Sequence, residues 1–267
     1  MDDRQYTALK ARIRQLTRVD LDYYKDAQMR RRLDNYIKAR GQTVEGFARM
    51  LGQQPREVEG LKDFLTINVT EFFRDPEQFD TLRRKVIPEL IARKPRLAVW
   101  SAGCSKGAEA YTLSMILSEA APSGGFSVLA TDIDERMLAI ARKGGPYTEA
   151  DLRALPKAFG PKYFTKSPEG HYVKEEARKG VTFRRHNLLA DPYKRGFDLI
   201  LCRNVVIYFT EEAKAHITRG FSQALQPDGF LFIGATEALL KARSLGLEQL
   251  STCFYQRSGD VPRALAA

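Results

Sequence analysis

The spacing of apolar residues changes once along the 267 residues, at Lys94-Pro95, and no other feature constrains the fold as much. Before that point apolar residues recur three and four apart. Met29, Leu33, Tyr36 and Ile37 form one such stripe, the buried side of an amphipathic helix. Arg31 and Lys38 share a different face of the same helix. Gly41 stands where a helix would stop, and Thr43-Val44-Glu45-Gly46-Phe47 reads as a restart. After Pro95 come short apolar runs, 97–100, 126–130, 197–202 and 230–233, with helical patterns at 109–119 and 135–142. Alternating strands and helices predict an α/β fold with an open, doubly wound, mostly parallel sheet. The chain is therefore expected to hold a helical domain with its linker at 1–80 and an α/β domain at 81–267. Residues 157–185 interrupt the alternation with Tyr163-Phe164-Thr165, a Ser167-Pro168-Glu169-Gly170 turn, Tyr172-Val173 and Val181-Thr182-Phe183, which predicts a small antiparallel β insertion. Leu225-Gln226-Pro227-Asp228-Gly229-Phe230 reads as a turn feeding a strand, with hairpin character.

Composition narrows the class. Hydrophobic residues at 43% with 28% charged can fill a core, which argues against a disordered chain. No apolar run approaches the roughly 20 residues of a membrane helix, and Met1-Asp2-Asp3-Arg4 lacks the apolar centre of a signal peptide, so a soluble, cytoplasmic protein is expected. Cys104, Cys202 and Cys253 lie far apart without a C-x-x-C pair, which supports neither a disulfide framework nor a zinc ribbon. The net charge of +10 favours an acidic partner: nucleic acid, an anionic membrane or an acidic protein surface. Ten basic residues against four acidic ones between Lys10 and Arg40 concentrate that surplus in the helical part.

Chemistry gathers where the strands end. The run 97–100 leads into Ser101-Ala102-Gly103-Cys104-Ser105-Lys106-Gly107, where glycines permit a sharp turn and close approach of a ligand above the sheet's carboxyl edge. Its G-x-x-x-G spacing is neither the G-x-G-x-x-G of dinucleotide binders nor a P-loop, since G-K-[ST] is missing. The next strand ends in Thr131-Asp132-Ile133-Asp134, with Asp132 placed to hold a ribose diol and Asp134 placed to cap the following helix. A further strand ends in Cys202-Arg203-Asn204-Val205-Val206-Ile207-Tyr208-Phe209.

These blocks, together with Thr66-Ile67-Asn68-Val69-Thr70-Glu71-Phe72-Phe73-Arg74, Glu109-Ala110-Tyr111-Thr112 and His186-Asn187-Leu188-Leu189, resemble the chemotaxis receptor methyltransferases, in the family's order and across nearly the whole chain. The resemblance implies a Rossmann-like, S-adenosylmethionine-dependent domain that methylates receptor glutamates and releases S-adenosylhomocysteine, with no metal. It assigns Asn68, Thr70 and Arg74 to closure over the cofactor, Glu109 to its methionine end, Asp132 to the ribose, Asn187 and Leu188 to the adenine side, and Arg203 with Asn204 to the floor. Arg74 and Tyr208 would flank the sulfonium and the incoming carboxylate. The family usually reads G-E-E-P-Y-[ST] where this chain has Gly107-Ala108-Glu109-Ala110-Tyr111-Thr112, a departure that bears on where the helix starts.

A glutamate, with an ordinary pKa of about 4.3, is already ionised at neutral pH, so the implied reaction needs no general base. That fits a chain whose histidines, His171, His186 and His216, form no nucleophile–base arrangement in sequence. The resemblance also makes Arg31, Arg32 and Lys38 candidates for the acidic helices of receptor cytoplasmic domains. The short Lys166-Ser167-Pro168-Glu169-Gly170-His171 loop resembles relatives that work without a C-terminal receptor tether. Two rival readings use the same cofactor fold: a nucleic-acid methyltransferase, although 203–206 lacks that class's paired prolines, and a cofactor-binding regulator without turnover.

Overall fold

The computed structural model describes residues 1–66, 70–121, 125–239 and 241–258. Its contacts divide the chain into two units, one of residues 1–67 with 208–214 and one of 68–207 with 215–267.

The first unit is helical, built from α1 (Asp3–Thr17), α2 (Asp26–Lys38), α3 (Val44–Gln53) and α4 (Pro55–Thr66). Asp2 and Gln5 close a capping box on α1, and Thr43 caps α3 through its side chain, so each start is set by local sequence. Each helix buries one stripe: Tyr6, Leu9 and Ile13; Met29, Leu33, Tyr36 and Ile37; Phe47 and Leu51; Val58, Leu61 and Leu65. The distant segment 208–214 joins this unit by backbone bonds, Lys25 N–H to the Tyr208 carbonyl at 3.0 Å and Thr210 N–H to the Tyr23 carbonyl at 2.8 Å, and by an edge-to-face contact of Tyr24 with Phe209.

The second unit begins with α5 (Pro76–Thr81) and α6 (Ile87–Arg93), then β1 (Arg96–Ala102), α7 (Ala108–Ala120), β2 (Gly125–Asp132) and α8 (Glu135–Lys143). It continues through α9 (Phe159–Tyr163), β3 (Phe164–Ser167), β4 (Gly170–Val173), α10 (Glu175–Arg178), β5 (Val181–Arg185) and β6 (Phe197–Cys202). The last elements are α11 (Glu211–Ala224), whose first turn groups with the helical unit, β7 (Leu225–Ile233), β8 (Leu247–Gln249) and β9 (Phe254–Arg257). The main sheet runs β5-β2-β1-β6-β7-β9-β8, parallel from β5 to β7, with β9 and β8 antiparallel at the far end. β6 is buried at every position, as a central parallel strand covered on both faces must be. The chain leaves β1 in one direction to β2 and β5 and in the other to β6 and β7, so the strand order reverses at β1/β6. Open α/β sheets bind ligands at the carboxyl end of that reversal.

Three expectations are corrected. Val181–Phe183 does not belong to the antiparallel insertion; β5 pairs in parallel with β2, Val128 opposite Val181, and only β3 and β4 form the small antiparallel pair. Residues 225–229 form no hairpin, since β7 runs through them with an irregular register against β6 and takes its antiparallel partner from β9. The run after Cys202 is not strand: Val206–Tyr208 is a single 3-10 turn.

Candidate active site

The turn between β1 and α7 is fixed by backbone geometry. Gly103 and Cys104 both donate their N–H groups to the Thr131 carbonyl, at 2.8 and 2.9 Å. Gly103 has φ +81°, and a Cβ there would meet a Val205 methyl at 2.4 Å. Gly107, φ +91°, is the N-cap of α7, where a Cβ would press on Ala141 and Phe183. Only glycine suits either position. Ala108 and Ala110, the two departures from the family pattern, are both fully buried in the first turn of α7, which starts normally without the usual acid and proline.

Two carboxylates stand at this edge. Asp132 ends β2 and accepts from Ser105 N–H at 2.7 Å and Asp134 N–H at 2.9 Å, one bond to each oxygen, which leaves each oxygen capacity for another donor. Burial pushes its pKa up to about 6, against the opposing pull of those backbone N–H groups. Asp134 caps α8 through Arg136 N–H and Met137 N–H, as its position after the strand predicts. Glu109, one residue inside α7, accepts from Ser101 Oγ at 2.8 Å. Burial raises its pKa and the Arg203 guanidinium, 3.5 Å away, opposes the rise. Asn187 follows directly on His186, whose N–H reaches the Asp132 carbonyl at 2.9 Å, so the β5 end lies beside Asp132. The Asn187 amide oxygen accepts Leu189 N–H, and the buried Leu188 gives its carbonyl to Tyr193. His186 itself stacks edge-on against Trp100 and Tyr193, and burial lowers its pKa, which marks a packing role.

Arg203 joins these groups. Its side chain is 2% exposed, with the guanidinium over the rings of Phe79 (4.9 Å) and Phe232 (4.7 Å). Nη2 donates to the Arg74 carbonyl at 2.9 Å and to Asp75 at 2.6 Å, while Nη1 faces Glu109. Asn204 adopts φ +59°, held there by Glu237. That carboxylate, itself buried, accepts Asn204 N–H and Gly234 N–H at 2.8 Å through one oxygen and Val206 N–H at 2.9 Å through the other.

Glu109, Asp132, Asn187, Arg203 and Asn204 thus come together at one sheet edge, with Arg74 tied to it through its backbone. Thr70 is half-buried upstream of Arg74; Asn68 lies outside the described residues. Tyr208 groups with the helical unit, its ring 5.8 Å from the Arg32 guanidinium. Among the basic candidates Arg31 and Lys38 are exposed. Arg32 is half-buried and donates to the Phe64 carbonyl at 2.6 Å, which makes it a tie within the bundle rather than an open docking charge. Sequence reading missed Glu237 and Asp75. Glu237 lies in the loop beyond the end of β7, at the same carboxyl edge where Asp132 ends β2, and a search of the loop after each strand finds it.

Fold and site define a Rossmann-like, S-adenosylmethionine-dependent methyltransferase. The model of the CheR methyltransferase SAM binding domain matches residues 68–252, and that of the CheR methyltransferase all-alpha domain matches 4–66. The chain belongs to the CheR methyltransferase family. It is 36% identical over 239 residues to a chemotaxis protein methyltransferase of Listeria innocua, covering 89% of this chain and 91% of that one. It is 38% identical over 215 residues to the chemotaxis protein methyltransferase Cher2 of Pseudomonas putida (76% and 77%), and 32% identical over 255 residues to a chemotaxis protein methyltransferase of Borreliella burgdorferi (90% and 89%). Among the described residues no helix is long and apolar enough to cross a membrane.

Proposed function

We propose that this chain methylates specific glutamate side chains of chemoreceptor cytoplasmic domains, forming methyl esters, in the cytoplasm. One observation carries the reading in a chain of this family: two carboxylates, the largely buried Glu109 and the buried Asp132, stand at the carboxyl ends of β1 and β2, beside the β1/β6 reversal of strand order. Their chemistry suits S-adenosylmethionine, an ammonium for Glu109 and a ribose diol for Asp132, and no metal is required. The bound cofactor supplies an electrophilic methyl group on a positively charged sulfur.

The chain's own residues then align, desolvate and exclude water. The acceptor carboxylate is an anion at neutral pH, so no residue has to remove a proton. Opposite charges cancel as the methyl group moves, so a cation that gripped the acceptor strongly would favour the ground state. Arg74 is therefore assigned to steering and orientation by charge-assisted hydrogen bonds, which can contribute as part of the roughly 7–11 kcal/mol available from alignment. Tyr208 is assigned to the same reacting centre by its place in the Arg203–Phe209 block. Asn68 and Thr70 are assigned to closure over the cofactor, and Asn187 with Leu188 to its adenine side. Arg31 and Lys38, exposed on α2, are the charges offered to an acidic receptor helix. The β3–β4 turn of two residues, Pro168 and Glu169, supports action without a C-terminal receptor tether.

Labelled S-adenosylmethionine incubated with receptor fragments and, separately, with RNA tests the reading. Base-labile label on the receptor protein is expected. Label on RNA, or none on either, would overturn it in favour of a nucleic-acid enzyme or a regulator.

A further inference from the structure

The turn that carries Arg74 is built in a way its own sequence does not favour. Phe73 (φ +54°) and Asp75 (φ +58°) both sit in the left-handed region, on either side of Arg74. Aspartate tolerates that region but a bulky phenylalanine rarely enters it, and a conformation like that of Phe73 persists only where surrounding contacts impose it, which makes it a pointer to function. Asp75 is also the N-cap of α5, a position where aspartate normally bonds the helix's first free N–H groups. Here its side chain makes no capping bond. It reaches Arg203 instead, at 2.6 Å, while its backbone carbonyl still accepts Gln78 N–H.

Four anchors converge on four consecutive residues. Phe72 N–H donates to the Asp151 carbonyl (2.9 Å), Phe73 N–H to the Thr112 hydroxyl (3.2 Å), and Arg203 donates to the Arg74 carbonyl and to the Asp75 carboxylate. The other guanidinium nitrogen of Arg203 faces Glu109. One buried cation therefore spans the carboxylate assigned to the cofactor and the turn that bears Arg74.

We infer that Asp75 is a positioning residue for methyl transfer: by holding Arg203 from the outer side, it fixes the turn so that Arg74 is presented in its working orientation. This rests on the proposed role of Arg74. Asp75 touches no reacting atom; it acts through Arg203 and the backbone of its neighbour. Because Arg203 keeps Glu109 and the Arg74 carbonyl when Asp75 is lost, the cofactor side should change little.

The test compares wild type, Asp75→Ala, Asp75→Glu, Arg74→Ala and the double variant Asp75→Ala/Arg74→Ala. Three quantities are read: kcat and KM for receptor methylation, calorimetric affinity for S-adenosylhomocysteine, and hydrogen exchange of the peptide spanning 72–79 without acceptor. Asp75→Ala should lose about tenfold or more in kcat, the scale on which a small misplacement of a catalytic group acts, with S-adenosylhomocysteine affinity within about threefold of wild type. Asp75→Glu should recover part of the loss. In the Arg74→Ala background, loss of Asp75 should cost nothing further, because there is no side chain left to position. Wild-type kcat in Asp75→Ala, or an equal further loss in the double variant, overturns the inference. If wild type transfers no methyl group to receptors, the proposed function fails instead. Exchange then decides separately: faster exchange of 72–79 in Asp75→Ala supports the clamp, and unchanged exchange overturns it.

Discussion

The two halves of the site are held by different means. The glycine turn and the β2 end are fixed mostly by main-chain bonds, Gly103 and Cys104 to the Thr131 carbonyl and His186 to the Asp132 carbonyl, with the Asp132 carboxylate adding one bond from Ser105 N–H. The Arg74 turn is held mostly by side chains, Thr112 and Arg203 reaching in from elsewhere and Asp75 answering Arg203 from within the turn, with two buried phenylalanines and one main-chain bond from Phe72 to the Asp151 carbonyl. The first half is set mostly by the sheet's main chain, and α7 keeps its start with Ala108 and Ala110 in its first turn. The second depends on individual side chains, so cofactor binding and methyl transfer should separate under mutation.

Arg203→Ala attacks the one residue shared by both halves and should have the largest effect. It leaves Glu109 buried without its cation, and removing one partner of a buried pair costs about 3–5 kcal/mol. Chemical denaturation should show a loss of that order together with loss of methyl transfer; unchanged stability would mean that the halves are not joined there. Arg74→Ala sharpens the contrast. Turnover should fall by about a hundredfold while the fold persists; near-normal turnover rejects the assignment of Arg74.

Asp132 tests the cofactor half. Its folded pKa, about 6, lies above the ordinary 3.8, so the folded protein binds that proton more tightly than the unfolded chain does. Ionising it therefore costs stability as pH rises from 3.8 to 6, a cost that stays in place above 6. Ligand binding through the carboxylate runs the other way, full above about pH 6 and declining below it. S-adenosylhomocysteine affinity should follow that profile, and Asp132→Asn should weaken binding and flatten it. A flat wild-type profile between pH 5 and 7 would remove Asp132 from the ribose. Tyr208→Phe should produce a smaller fall in single-turnover rate than Arg74→Ala, and an unchanged rate places Tyr208 outside the reacting centre. The smallest effect concerns docking. Receptor affinity should weaken between about 0.1 M and 1 M salt, as the screening length falls from about 10 Å to about 3 Å, and Arg31→Ala should reduce that dependence. Salt-insensitive affinity would argue against a basic docking face.

The sheet was legible because its strands are short apolar runs bounded by turn residues: 197–202 falls on β6, and the α2 stripe of Met29, Leu33, Tyr36 and Ile37 is the buried face. Asp132 and Asp134 were readable from their place after a strand, where one position caps a helix and the other faces the edge. What escaped was non-local. β5 was grouped with the insertion because a five-residue edge strand carries no mark of its partner, and parallel pairing with β2 is decided in three dimensions. Arg32 looked like surface charge until the Phe64 carbonyl and ring claimed it. Asp75 carried no signal, since nothing in sequence tells that its carboxylate meets an arginine more than a hundred residues later.

Calorimetric titration of folded wild-type protein with S-adenosylhomocysteine, repeated with Asp132→Asn and Asp75→Ala, bears most directly on the division between a binding half and a transferring half. Wild type should bind one-to-one, Asp132→Asn much more weakly, and Asp75→Ala with near-wild-type affinity. Absence of binding to the folded wild-type chain would contradict that division.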